Sequence, residues 1–265
     1  MSVFRLDVEY EGTRYSGWQE QKNARTVAGE LRRAAEAALG GPVELGGAGR
    51  TDAGVHATGQ VAHLRTKVRV RLAGLAAAIN ERLPPDIHLL TLAAAPAGFH
   101  ARHGALARSY LYQISRRRTA LAKRYVWWVK RPLDAAAMAR GAARLAGRHD
   151  FAAFCEKPGE QDSTLVEVER AEVAAEGDLV LLRLVASHFL WKMVRRVVGT
   201  LVELGAGELE PAALEALLAG GGKASPHRTA AWTAPPSGLF LERVVYPGEA
   251  PPGELRAVVP VGRRG

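Results

Sequence analysis

One cysteine, Cys155, stands in 265 residues. That excludes an internal disulfide and a cysteine-rich zinc site. Long hydrophobic runs are missing as well: the longest apolar stretches, such as Leu89–Phe99, fall far short of a bilayer crossing. The first ten residues alternate apolar and polar side chains and lack the basic start, apolar run and small-residue cleavage site of a signal peptide, so the cytoplasm is the expected location. Acidic residues vanish locally. From Ile87 to Leu133 there is no Asp or Glu, while Arg102, Arg108, Arg116, Arg117, Arg118, Lys123, Arg124, Lys130 and Arg131 all fall there.

What is present is a basic chain, with 36 Lys and Arg against 27 Asp and Glu and a net charge of +9. A one-signed segment of this kind attracts a polyanion, with affinity that falls as salt rises. Tyr110, Tyr112, Tyr125, Trp127 and Trp128 lie within or beside the same basic run, and rings can stack on unpaired bases. A solvated basic surface is the plainer alternative.

Periodicity places a strand at Val3–Tyr10, a helix from a Thr26 cap to Leu39, and a strand around Gln60–Leu64. A helix over Arg71–Leu83 and a strand at Ile87–Leu92 complete this half. The second half reads as a strand at Ala107–Ile114, a helix from Asp134 to about Ala146, and strands at Val166–Ala174 and Leu179–Ala186. Helices at Phe189–Leu204 and Pro211–Leu218 and a closing strand at Leu239–Val245 follow. The fold class is α+β, with two related halves, 1–105 and 106–246, that share a sheet. The Pro/Gly-containing segment 247–265 is expected to be a poorly packed, flexible tail.

Gly46–Gly59 is the segment with chemistry in it. Four glycines in nine residues (Gly46, Gly47, Gly49, Gly54) argue for irregular backbone that can approach a ligand closely. Asp52 sits in it, two residues after Arg50. The competing structural reading is an Asp that caps a helix. A phosphate-cradling loop lacks its Gly-x-x-x-x-Gly-Lys-Ser/Thr pattern. His56 and His63, with Asp52, raise a metal-dependent nuclease, but no spacing such as His-Glu-x-x-His supports it. Ser187-His188 and Ser225-Pro226-His227 form no ordered nucleophile constellation.

Gly49-Arg50-Thr51-Asp52-Ala53-Gly54-Val55-His56 resembles the signature loop of the tRNA pseudouridine synthase A family. Six more segments match in order: Tyr10-Glu11-Gly12-Thr13 with Gly17-Trp18-Gln19 and Gln21, Asn80–Ile87, Phe99–Arg102, Arg108–Tyr112, Phe189-Leu190 with Met193-Val194-Arg195 and Gly199, and Gly238–Leu241. Two departures stand out. Glu11 replaces the family's usual Asp, and Val166 stands where an Arg is common.

The resemblance implies a pseudouridine synthase fold: two ferredoxin-like (RRM-like) halves sharing a largely antiparallel sheet, with flanking helices and a central active-site cleft. It also implies a metal-free, cofactor-free isomerisation of uridine in the anticodon stem-loop of tRNA, at positions 38, 39 and 40, by a homodimer. In the implied site Asp52 is the catalytic carboxylate, Arg195 the cation that keeps it ionised, and Tyr110 the ring against the target base. Tyr112 competes with Tyr110 for that role or is core. Arg50, Thr51 and Arg108 are implied substrate contacts. Leu239 or Leu241 supplies an apolar wall, with core packing the alternative for both. The rival function is an RNA-binding or tRNA chaperone protein without turnover.

Overall fold

The computed structural model describes residues 1–161, 163–219 and 226–262, so Ser225 of the Ser225-Pro226-His227 run and residues 263–265 of the tail lie outside the described residues. In chain order the elements are β1 (Ser2–Tyr10), α1 (Val27–Leu39), β2 (Val43–Gly47), β3 (His56–Thr66), α2 (Leu75–Asn80), β4 (Ile87–Ala94), β5 (Ala107–Ser115) and β6 (Trp127–Trp128). They continue with α3 (Ala135–Ala143), β7 (Gly147–Asp150), β8 (Leu165–Glu176), β9 (Leu179–Ala186), α4 (Met193–Gly205), α5 (Pro211–Leu218), α6 (Pro226–Ala231) and β10 (Leu239–Val245). The class is α+β. No helix among the described residues is long and apolar enough to cross a membrane. Two compact units result, Met1–Leu106 with Phe240–Ala250 and Ala107–Leu239 with Pro251–Gly265. The expected halves were contiguous; these are not, because Phe240 and Leu241 pair with β3 and residues 240–250 group with the first unit.

The first unit runs β1-α1-β2-β3-α2-β4, with β4, β1, β3 and β2 side by side and antiparallel, the ferredoxin-like arrangement. In β1 the period of two buries Leu6 and Val8 completely. On α1 the helical spacing buries Val27, Leu31, Ala34 and Ala35, and the Thr26 hydroxyl caps the helix by accepting from the Gly29 N–H at 3.3 Å. β10 adds in parallel to the first residues of β3, Phe240 opposite His56 and Leu241 opposite Ala57.

The glycine-rich segment corrects the expectation of irregular backbone from Gly46 to Gly59. Gly46 and Gly47 end β2, and β3 begins at His56. Added Cβ atoms would stand 2.4 Å from the His63 ring at Gly46 and 2.5 Å from the Trp18 ring at Gly47. These glycines admit rings against a strand. Only residues 48–55 are left as loop.

In the second unit β5, β9, β8 and β7 lie in that order, antiparallel, and β6 joins β5 in parallel. Every residue of β5 and of β9 is buried, consistent with a central position in the sheet. Asp134 caps α3 with one carboxylate oxygen that accepts from the Ala136 and Ala137 N–H groups at 2.8 and 3.0 Å. α4 starts at Met193 rather than Phe189, since Lys192 sits in the left-handed region at φ 60°.

The segment after Pro247, expected to pack poorly, is held by buried polar side chains. The Gln113 amide oxygen accepts from the Val258 and Val259 N–H groups at 2.7 and 3.1 Å, and its nitrogen donates to the Val259 carbonyl at 3.2 Å. Arg183, fully buried, donates to the Gly253 and Glu254 carbonyls at 2.8 and 3.1 Å. Leu255, Ala257 and Val261 pack on Ala122, Val126, Leu179 and Leu181. Composition misread this segment because its order comes from partners far away in sequence.

Candidate active site

Asp52 opens a tight turn. The Val55 N–H donates to the Asp52 carbonyl at 3.2 Å, with Gly54 at φ 79° inside the turn. No helix follows; β3 does. The helix-cap alternative for Asp52 therefore falls away. The residue is half-buried, Arg50 is exposed, and Thr51 and Val55 are buried.

The loop is braced from three sides of its own unit. Behind it, the Trp18 N–H donates to the Thr51 carbonyl at 3.1 Å and the Gly54 N–H to the Tyr15 carbonyl at 3.3 Å. From the strands, the Gln60 amide bridges the Gly49 backbone, donating to its carbonyl at 2.8 Å and accepting from its N–H at 3.3 Å. The Tyr10 and Thr51 hydroxyls share a hydrogen bond of 2.8 Å, and burial pushes the Tyr10 phenol well above its ordinary range. Thr51, expected among the substrate contacts, thus has its hydroxyl on the frame of the loop. A neutral Tyr10 in a buried hydrogen-bond network fixes geometry without adding charge.

His56 and His63 also have structural partners. The Gly12 N–H donates to His56 Nδ1 at 3.0 Å, and the His56 ring stacks on Phe240 with centroids 4.9 Å apart. His63 Nδ1 accepts from the Ala101 N–H at 3.2 Å. No group of three or more His, Cys, Asp or Glu suited to hold a metal occurs among the described residues.

In the second unit Tyr110 is 7% exposed and meets Phe189 edge-on, with centroids 5.0 Å apart and planes at 83°. Tyr112, two residues on and on the same strand face, is fully buried and donates its hydroxyl to the Pro235 carbonyl at 2.7 Å. Burial raises its phenol pKa well above the usual value, against the opposing pull of the Arg195 cation. Arg195 is half-buried on α4, and its Nε donates to the Ala234 carbonyl at 2.7 Å while its own carbonyl accepts from the Ala234 N–H at 3.0 Å.

Arg108, expected to touch substrate, is buried and donates to the Ser187 carbonyl at 2.7 Å. Leu239 and Leu241 are both buried. Of the rings in the acid-free stretch, Tyr110 and Tyr112 lie inside the sheet, and Trp127 packs edge-on against Tyr112 at 6.4 Å. Trp128 is the exposed one, with the Arg118 guanidinium 5.8 Å and the Lys130 ammonium 5.5 Å from its ring centre. Sequence reasoning missed Tyr10, Gln60 and Gly17 as the supports of the Asp52 loop. Their signal was a polar residue at an inward strand position and a glycine beside Trp18.

A family model described as tRNA pseudouridine synthase matches residues 8–103 and 142–247, a span that includes the Asp52 loop and Arg195. The chain belongs to that family. Members with this description are isomerases acting on tRNA. A tRNA pseudouridine synthase A from Syntrophotalea carbinolica is 42% identical over 248 residues, covering 93% of this chain and 97% of the relative. Those from Moorella thermoacetica and Methylococcus capsulatus are each 40% identical, covering 93% and 92% of this chain and 100% and 89% of their own. The match reaches across both units, so family membership covers the Asp52 loop, β5 and α4 alike.

Proposed function

We propose that the protein isomerises uridine to pseudouridine in the anticodon arm of tRNA, at positions 38, 39 and 40, with Asp52 as its one catalytic carboxylate and neither metal nor cofactor. The bond from the ribose to N1 of uracil breaks, the base turns, and a bond to C5 forms; the C5 proton leaves and N1 gains one. Atoms and electrons balance without a redox partner. The chemistry calls for a carboxylate that attacks or deprotonates the nucleotide in a site that retains the freed base.

The observation that carries this reading is the position of Asp52 at the head of a turn anchored by Trp18, Tyr15, Gln60 and Thr51. Such bracing holds a reacting group in place before substrate arrives. In this reading Arg195 is the cation that accompanies the carboxylate, and Tyr110 the ring that packs on the target base. Arg50, exposed beside Asp52, enters the RNA and holds the flipped nucleotide, offsetting an unstacking cost of a few kcal/mol. The working form is a cytoplasmic homodimer, as the family resemblance implies.

The test is carbodiimide primer extension on unmodified tRNA incubated in EDTA with wild-type or Asp52→Asn protein. Stops in the anticodon arm with wild type alone are expected, while Asp52→Asn binds tRNA within a few-fold of wild type. Tight binding without stops from the wild type would overturn the enzymatic reading in favour of an RNA-binding role.

A further inference from the structure

Between β9 and α4 the chain presents an indole to solvent. Trp191 is 44% exposed, although Leu190 before it and Met193 and Val194 after it are buried. Its ring has an ammonium on either side in sequence space: Lys192 Nζ lies 5.5 Å and Lys157 Nζ 5.9 Å from the ring centre. A desolvated contact of this kind is attractive, but at an exposed ring it is weak. It does not by itself account for what the backbone does at these two lysines.

Lys157 and Lys192 are the two non-glycine residues with positive φ among the described residues, at 52° and 60°. An L residue with a long side chain is strained there, and glycine or asparagine is the ordinary occupant. Two strained positions that converge on one exposed ring point to a role in binding. The surrounding turns are clipped together. The Glu156 N–H donates to the Trp191 carbonyl at 2.9 Å, and the Glu156 carboxylate faces Lys192 Nζ at 3.4 Å and pairs with Arg196. Arg196, 5% exposed, also donates to the Cys155 carbonyl at 2.7 Å, and its Nε has no hydrogen-bond partner among the described residues. Lys157 pairs with Glu160 at 2.8 Å. The cluster therefore sets three cations against two carboxylates around a rigid, open aromatic face.

We propose that Trp191 is a stacking platform for an unpaired base of the RNA substrate, and that Lys157 and Lys192 meet the phosphates on either side of that base. Exposed indole suits the π-face of any base, and paired ammoniums suit the strand that carries it. The inference rests on the substrate being tRNA but requires no particular role for Asp52.

The experiment compares full-length wild type, Trp191→Ala, Trp191→Phe and the Lys157→Gly/Lys192→Gly double variant in tRNA binding across a salt series, with thermal midpoints and wild-type turnover from the same preparations. Trp191→Ala is expected to weaken binding roughly ten-fold, and Trp191→Phe to recover most of that loss. The double glycine variant should bind more weakly, with a salt slope lower by about one to two, yet melt no lower than wild type because glycine relieves the strained φ. If the wild type turns over tRNA and Trp191→Ala binds it equally well, the platform is refuted and the enzymatic reading stands. A double variant that melts lower with its salt slope unchanged would make the lysines structural and overturn the proposal. A wild type that neither binds nor modifies tRNA would overturn both.

Discussion

The Tyr112 hydroxyl donates to the Pro235 carbonyl at 2.7 Å, tying β5 to the turn that leads into β10. Its fully buried ring also lies against Gly238, where an added Cβ would meet it at 2.6 Å. Tyr110 keeps a small exposed margin against Phe189. The two tyrosines on one strand face therefore divide between structure and the proposed contact with the base. Tyr112→Phe should cost about 1–2 kcal/mol in urea unfolding and leave turnover near wild type, while Tyr110→Phe should slow turnover with little change in stability. The reverse pattern would exchange their roles.

Gly17 stands at φ 88°, and a Cβ there would lie 2.5 Å from the Thr51 carbonyl oxygen. That oxygen accepts the Trp18 N–H that backs the Asp52 loop. Gly17→Ala is expected to destabilise by roughly 1–3 kcal/mol and to lower kcat at least about ten-fold, since the loop must shift. Measured kcat at wild-type level with a folded variant would show that the loop tolerates displacement.

Arg195 is fixed by reciprocal contacts with Ala234 at 2.7 and 3.0 Å. Arg195→Lys keeps the charge and loses the planar fork. Single-turnover rates should fall roughly 100-fold or more, because an ammonium cannot reproduce the paired, planar donors of the guanidinium. Wild-type turnover in this variant would sink the ion pair.

His63 is buried, and its ring lies 4.4 Å from that of His100. Burial first, then the charge of His100, bring its pKa down to about 4. An unfolded histidine titrates near 6.5, so between those values the unfolded chain binds more protons than the folded one. The stability from neutral His63 is complete above about pH 6.5 and is lost as pH falls toward 4. Roughly 2–3 kcal/mol should disappear between pH 7 and 4.5. Urea midpoints at the two pH values should differ less in His63→Gln, which cannot titrate; an equal difference would place the acid sensitivity elsewhere.

Much of this arrangement was legible in the sequence wherever local signals ruled. The Thr26 cap, the alternation in β1 and the apolar run of β9 each follow from neighbours a few residues away. Asp52 stood out because an acid among glycines has few structural uses. What stayed hidden was non-local. β2 carries glycines that local propensity assigns to loops, and only the His63 and Trp18 rings explain them. β6 is two tryptophans that become a strand by pairing with β5, and β7 is four residues that do so by pairing with β8. The partners that Thr51 and Arg108 take within the fold, Tyr10 and the Ser187 carbonyl, were equally hidden, because motifs mark which residues matter and not which partners they take.

The discontinuous build of the first unit bears on its synthesis. Residues 240–250 reach it only after residues 107–239 have been made. At roughly 5–20 residues per second the nascent first unit waits on the order of ten seconds, with the start of β3 lacking its parallel neighbour. An unpaired strand edge is a site for wrong pairing. Expressing residues 1–106 as a free fragment would make that waiting state permanent, and a circular permutant that brings 240–250 next to Met1 would abolish it.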